Sequence, residues 1–218
     1  MKRKSIIIVS LIILILLLDQ VFKIWVKTNM YLGEEIQLIG SWFKLHFIEN
    51  EGMAFGLVFF GGFWGKLILS VFRLIASVGI GWIIYKMLKK EVSWGLLIAI
   101  ALVLAGAIGN IFDSVFYGKI FSSSEIHLAT LFPAGGGYAP ILQGKVVDML
   151  QLDLFTITFP DWLPFWGGAV FNFFPAIFNI ADSSITIGLF VLILFYYKSL
   201  STFIASFESS KKEQVEEV

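Results

Sequence analysis

Ile6-Ile7-Ile8-Val9-Ser10-Leu11-Ile12-Ile13-Leu14-Ile15-Leu16-Leu17-Leu18 runs without a break into Asp19-Gln20-Val21-Phe22-Lys23-Ile24-Trp25, and this stretch decides the kind of protein. Lys2-Arg3-Lys4 stands in front of it, as in a cleaved signal peptide. No small-residue cleavage site follows the apolar run, however. A spanning helix needs about 20 residues, so this one must carry Asp19 and Gln20 within its length. The reading is a retained transmembrane helix.

Composition agrees. Hydrophobic residues make up 58% of the chain and charged residues 15%, with a mean hydropathy of +0.86, which places it in the membrane class. Basic and acidic residues balance to zero net charge, so no nucleic-acid partner is expected. The absence of cysteine excludes thiol catalysis, disulfides and thiolate metal sites. The two histidines, His46 and His127, lack the spacing of a zinc site, so neither a metal nor another cofactor is expected.

Three further apolar segments follow, at about 67–85, 92–112 and 177–197. The expected fold is a membrane all-α core of four transmembrane helices, a small extracytoplasmic β-rich cradle and an extended outer segment. Residues 1–198 form a single membrane-embedded domain with outer segments 26–62 and 114–175, and 199–218 form a solvated, frayed cytoplasmic tail. Within the first outer segment, Phe43-Lys44-Leu45-His46-Phe47-Ile48 alternates as a half-buried strand does. The second is rich in Gly, Pro and aromatic residues, which suits a position at the headgroup level, gating access there. Lys2, Arg3, Lys4, Lys86, Lys89, Lys90, Lys198, Lys211 and Lys212 share one side of a four-helix topology. The positive-inside rule therefore places both termini in the cytoplasm. At a rise of about 1.5 Å per residue, Asp19 stands roughly 22 Å above Lys4, Asp182 roughly 24 Å above Lys198 and Asn110 roughly 28 Å above Glu91. Polar groups of separate helices thus converge towards the outer leaflet of a hydrocarbon core about 30 Å thick.

Two carboxylates stand out. Lys145-Val146-Val147-Asp148-Met149 and Phe178-Asn179-Ile180-Ala181-Asp182-Ser183 each set one in an apolar context, where an acid is costly and functional by default. Brought together, two such groups share a proton and serve as acid and base at once, which equips them to hydrolyse a peptide with an activated water. The plainer reading makes Asp182 a helix cap and leaves Asp148 in a solvated loop. Asp19 and Lys23, four residues apart, read as a self-neutralising pair that orients the first helix at the interface. Asn50, Asn110 and Asn179 offer hydrogen bonds to a substrate backbone that water cannot reach, or tie loops to helix ends. Gly106 and Gly109 read as packing positions.

Asp19-Gln20-x-x-Lys23, Asn50-x-Gly52-x-Ala54-Phe55, Gly106-x-x-Gly109-Asn110-x-x-Asp113, Val147-Asp148 and Phe178-Asn179-x-Ala181-Asp182 occur in that order. Over roughly residues 5–198 this resembles bacterial lipoprotein signal peptidase, also called signal peptidase II. The resemblance implies a monomeric aspartic endopeptidase of the inner membrane. Such an enzyme removes the signal peptide from diacylglyceryl-prolipoproteins before the lipidated cysteine, among membrane lipids and without a cofactor. It assigns catalysis to Asp148 and Asp182, and substrate contact or support to Asp19, Lys23, Asn50, Gly52, Gly106, Asn110, Asp113 and Asn179. Two departures stand out: Ser114 occupies the position of the family's usual arginine, and the segment before Asp148 is long. Arg73, the one arginine inside the expected spans, either compensates beside Asp113 and the dyad or snorkels to the headgroups. Outside the family, an ion-coupled transporter or a non-enzymatic scaffold would also bury such groups.

Overall fold

Four helices among the described residues are long and apolar enough to cross a membrane: α1 (Lys2–Asn29), α2 (Gly62–Leu88), α3 (Trp94–Ile120) and α4 (Ile180–Ser206). The structure is a computed structural model that describes residues 2–51, 62–173 and 176–216. Gly52, Ala54 and Phe55 of the second motif lie outside the described residues. The strands are β1 (Glu35–Ile39), β2 (Phe43–Asn50), β3 (Val146–Leu152), β4 (Phe155–Thr158), β5 (Val170–Phe173) and β6 (Ile177–Phe178). They form an antiparallel sheet in the order β1-β2-β3-β6 and a separate hairpin, β4-β5. Chain contacts gather into two compact units, one of Met1–Leu18, Arg73–Gly109 and Ile180–Val218, the other of Asp19–Phe72 and Asn110–Asn179.

In the first unit, α3 and α4 run antiparallel along a seam of small residues. A Cβ on Gly95 would strike the Tyr196 ring, one on Gly188 would meet the Ala99 carbonyl, and one on Gly106 would strike the Ala181 carbonyl oxygen and Ile185. Between these points Ser184 Oγ donates to the Leu102 carbonyl at 2.8 Å. Lipid tails are as apolar as leucine, so close van der Waals approach of this kind holds membrane helices together rather than removal of surface from water. Ile8, Ile84, Met87, Leu97, Ile100, Leu104 and Phe203 fill the core of the unit. Phe72, Ile75 and Val78 of α2 and Ile193, Leu194 and Phe195 of α4 are exposed, as lipid-facing side chains must be.

The second unit is built on the four-stranded sheet. Val26, Met30, Phe47, Tyr117, Phe121, Val147 and Met149 form its core. The strand expected at 43–48 is β2, extended to Asn50. The register between β2 and β3 shifts once: Leu45 faces Leu150, but Ile48 faces Asp148, so β2 carries one extra residue. A one-residue slip moves every later side chain to the opposite face of a strand. Here it places Asn50 on the face that carries Asp148.

Element ends differ from the sequence expectations in five places, the first being α1, which stays helical through residues 26–29 of the expected outer segment. Ile177 and Phe178 belong to β6, paired with Gln151 and Leu150, so α4 starts at Ile180. The third helix does not stop at Phe112. It passes through a π turn, Asp113–Tyr117, and ends at Ile120, so residues 114–120 are helical rather than outer loop. Burial of Tyr117 and Phe121 in the sheet core draws the helix onward. The second helix begins at Gly62, five residues early. Beyond α4 the backbone stays helical to Glu216 where a frayed tail was expected, in keeping with helix formers such as Lys211-Lys212-Glu213-Gln214.

Candidate functional site

Asp148 lies in the middle of β3, 2% exposed, and its carboxylate is gripped from two sides. Asn50 donates to Oδ2 at 3.1 Å from the neighbouring strand, and Asn179 donates to Oδ1 at 2.7 Å from the end of β6. The β2 bulge brings the first amide to this face, and the short β3–β6 pairing brings the second. Two amide donors, one on each oxygen, fix the plane of the carboxylate. Asn179 Nδ2 also reaches Asn110 Oδ1 at 3.1 Å and the Val147 carbonyl at 3.3 Å. Asp148 is therefore held in a buried strand, not in a solvated loop.

Asn110 connects this arrangement to a charged cluster behind it. Its Oδ1 also accepts from Lys23 Nζ at 3.0 Å. The same ammonium sits 2.9 Å from Asp19 Oδ2 and 2.8 Å from Asp113 Oδ2, so all three of its hydrogens are used. Lys23, Asp19 and Asp113 are all fully buried. The backbone N–H of Val147 donates to Asp113 Oδ2 at 3.2 Å, which ties the cluster to the strand residue just before Asp148. Gln20 donates to both Asp113 Oδ1, at 2.9 Å, and Asp19 Oδ2, at 3.1 Å, and its own oxygen accepts from the Tyr117 hydroxyl at 3.0 Å. The π turn, a feature frequent at functional sites, begins at Asp113 and ends at Tyr117 and so delivers both.

Asp19 and Lys23 are thus no isolated interface pair. The lysine bridges two acids from different helices, because Asp113 comes within reach only once α1 and the π turn are packed against the sheet. The cation 2.8 Å from Asp113 is Lys23. Ser114 is buried and donates to the Asn110 carbonyl at 3.0 Å.

A second buried network went unread in the sequence. Lys27 pairs with Glu49 and donates to Ser124 Oγ at 2.8 Å, and it lies over the rings of Phe121 and Tyr138. Burial works to raise the Glu49 carboxyl, but Lys27, Ser124 and Lys145 outweigh it and hold the group below its usual 4.5. A signal for this network was present: Asp19, Lys23 and Lys27 recur every fourth residue and so line one face of α1.

In the other unit, Asp182 stands half-buried in the first turn of α4. The Gly106–Ala181 contact holds α3 directly against that turn.

Relatives of the chain are informative. The family model described as Signal peptidase (SPase) II matches residues 11–198. A protein of Porphyromonas gingivalis named Lipoprotein signal peptidase is 47% identical over 196 residues, covering 89% of this chain and 84% of its own. One of the same name from Amoebophilus asiaticus is 37% identical over 205 residues, covering 91% of this chain and 81% of its own. A solved structure described as a bacterial membrane enzyme shares the fold, with a TM-score of 0.56, 24% identity and coverage of 89% of this chain and 90% of its own. Four apolar helices, an antiparallel sheet and a matching profile over most of the length have one meaning together: the chain is a multi-pass membrane protein and belongs to the signal peptidase II family of peptidases.

Proposed function

We propose that the protein is an aspartic endopeptidase that removes signal peptides from diacylglyceryl-modified prolipoproteins before the lipidated cysteine, with Asp148 and Asp182 as its catalytic pair. The observation that carries this reading is the Asp148 carboxylate, buried and oriented by an amide on each oxygen. Asn179, one of those amides, precedes Asp182 by three residues on the chain.

In the proposed reaction one carboxylate takes a proton from water as the oxygen adds to the scissile carbonyl carbon. A tetrahedral intermediate forms. The other carboxyl then gives its proton to the departing amine nitrogen as the C–N bond breaks. Asn50 and Asn179 hold Asp148, and Asn110 links that grip to Lys23, Asp19 and Asp113, which act as support. Gly106 lets α3 approach the turn that carries Asp182. The proposed mechanism uses no cofactor. The substrate's acyl chains lie in the bilayer, where burial contributes about 0.8 kcal/mol per CH₂. The protein works as a monomer in the inner membrane, with both termini cytoplasmic and the site near the outer leaflet. Family membership favours this reading over a transporter or a scaffold.

Cleavage of a diacylglyceryl-modified precursor peptide by reconstituted protein tests it. Asp148→Asn and Asp182→Asn keep the side-chain shape but can neither accept nor return a proton, so each should lose about 10²–10⁴-fold in rate while the protein stays folded and membrane-inserted. Either variant cleaving at the wild-type rate refutes the aspartic mechanism.

A further inference from the structure

The hairpin β4-β5 stands apart from the main sheet, and an isolated two-stranded hairpin is marginal in water. All eight of its strand residues are exposed. Its two faces are different in kind. Phe155 faces Phe173 and Ile157 faces Phe171 on one side, while Thr156 faces Asn172 and Thr158 faces Val170 on the other. The Phe155 and Phe173 rings stack at 4.6 Å, and Phe159 extends the aromatic row towards Phe171 and Trp166. From Leu154 to Phe173 the sequence holds a single charge, Asp161.

The loop at the tip, 159–169, carries Trp162 at 78% exposure and Phe165 fully exposed. Phe165 has a φ of +68°, a left-handed conformation that is unfavourable for a bulky residue. Even so, the loop closes on itself. The N–H groups of Phe159, Leu163, Gly167, Gly168 and Ala169 all donate to carbonyls within the loop, and Pro160 and Pro164 have no N–H to satisfy. Internal partners for these five N–H groups lower the cost of bringing the loop to a bilayer surface. Trp and Phe at such a tip match the residues that settle at a bilayer interface.

We infer that this hairpin is a membrane-dipping wedge: its aromatic face and the Trp162–Trp166 tip enter the outer leaflet of a phospholipid bilayer, and the Thr156–Asn172 face stays in water. The occupant of the exposed aromatic face is lipid, because its paired strand positions are uncharged and its tip carries exposed Trp162 and Trp166, the residue type that settles at a bilayer interface.

The cysteine-free sequence makes the test direct. Single-cysteine variants Phe165→Cys, Trp166→Cys and Thr156→Cys are labelled with a nitroxide in full-length protein, reconstituted at one copy per phosphatidylethanolamine–phosphatidylglycerol nanodisc. Collision rates with oxygen and with a water-soluble nickel chelate report depth, and cleavage plays no part in the readout. The oxygen-to-nickel ratio should be several-fold higher at positions 165 and 166 than at 156. Adding Trp162→Asp and Phe165→Asp to the Trp166-labelled protein should return that label to the ratio found at 156. Equal ratios at 156 and 165 overturn the inference. So does protection that appears only with two copies per disc together with spin–spin broadening, since the face would then dock on a second copy.

Discussion

Replacing Lys23 by methionine removes one ammonium from a site where every nearby group was placed to meet it. The wild-type nitrogen makes three short contacts, at 2.9 Å to Asp19, 2.8 Å to Asp113 and 3.0 Å to Asn110, with no side-chain exposure at either end of the two ion pairs. Methionine keeps most of the volume but leaves two buried carboxylates facing one another. Removing one partner of a buried ion pair costs about 3–5 kcal/mol, because the remaining charge loses its compensation. An exposed pair is worth about 0–1 kcal/mol. At about 2–4 °C per kcal/mol for a chain of this size, the melting temperature should fall by about 6–20 °C. Tryptophan fluorescence of the detergent-solubilised protein during heating measures it. Asp113→Asn combined with Lys23→Met should recover part of the loss, with a coupling of about 0.5–3 kcal/mol. Activity should fall as well, because Asn110 Oδ1 is shared between Lys23 and the amide that holds Asp148. A Lys23→Met protein that melts within about 2 °C of wild type would behave like a screened surface pair, and the cluster's structural role would be refuted.

Gly106→Ala should destabilise by about 1–3 kcal/mol through overpacking against the Ala181 carbonyl and should slow cleavage by shifting the turn that carries Asp182; Gly79→Ala on α2, where a Cβ meets nothing within 4 Å, should be neutral or slightly stabilising in the same thermal assay. Glu49 supplies a pH dependence. Its carboxyl sits below 4.5 in the folded protein, so its contribution is complete above 4.5 and is lost as pH falls from there through the lowered value. Melting temperatures measured downward from pH 6 should therefore decline more steeply for wild type than for Glu49→Gln, and parallel curves would show that the Lys27–Glu49 pair adds nothing.

The four helices were legible because lipid demands long apolar runs, and the run from Ile6 to Leu18 meets that demand without help from context. The β-rich part was legible at β2, where alternation marks a half-buried strand. It was not legible at β6, whose two residues, Ile177 and Phe178, read as the start of an apolar helix until Leu150 and Gln151 are there to pair with them. The motif residues announced themselves as polar groups in apolar surroundings, but their partners did not. Nothing local in the sequence tells Lys23 that Asp113, ninety residues on, will complete its coordination, or tells Asn50 that a bulge in its own strand will turn it towards Asp148. Spacing along one helix face could have added Lys27 to the set. The π turn at Asp113 had no local signal that residues 114–120 would stay helical, since it is burial of Tyr117 and Phe121 in the sheet core that keeps them so.

The serine after Asp113 follows from the same geometry. The aspartate's charge is answered from α1: Lys23 reaches Asp113 at 2.8 Å, Gln20 takes the other carboxylate oxygen, and the Val147 N–H adds a third contact. Asp113 thus has a full set of partners without a guanidinium beside it. Ser114, 2% exposed and bonded to the Asn110 carbonyl, fits a space where a guanidinium would be buried with its charge to compensate. Lys23, one helical turn beyond Asp19, thus serves both acids from α1, and Ser114 fills the buried space beside Asp113 with a hydroxyl that bonds back to its own helix.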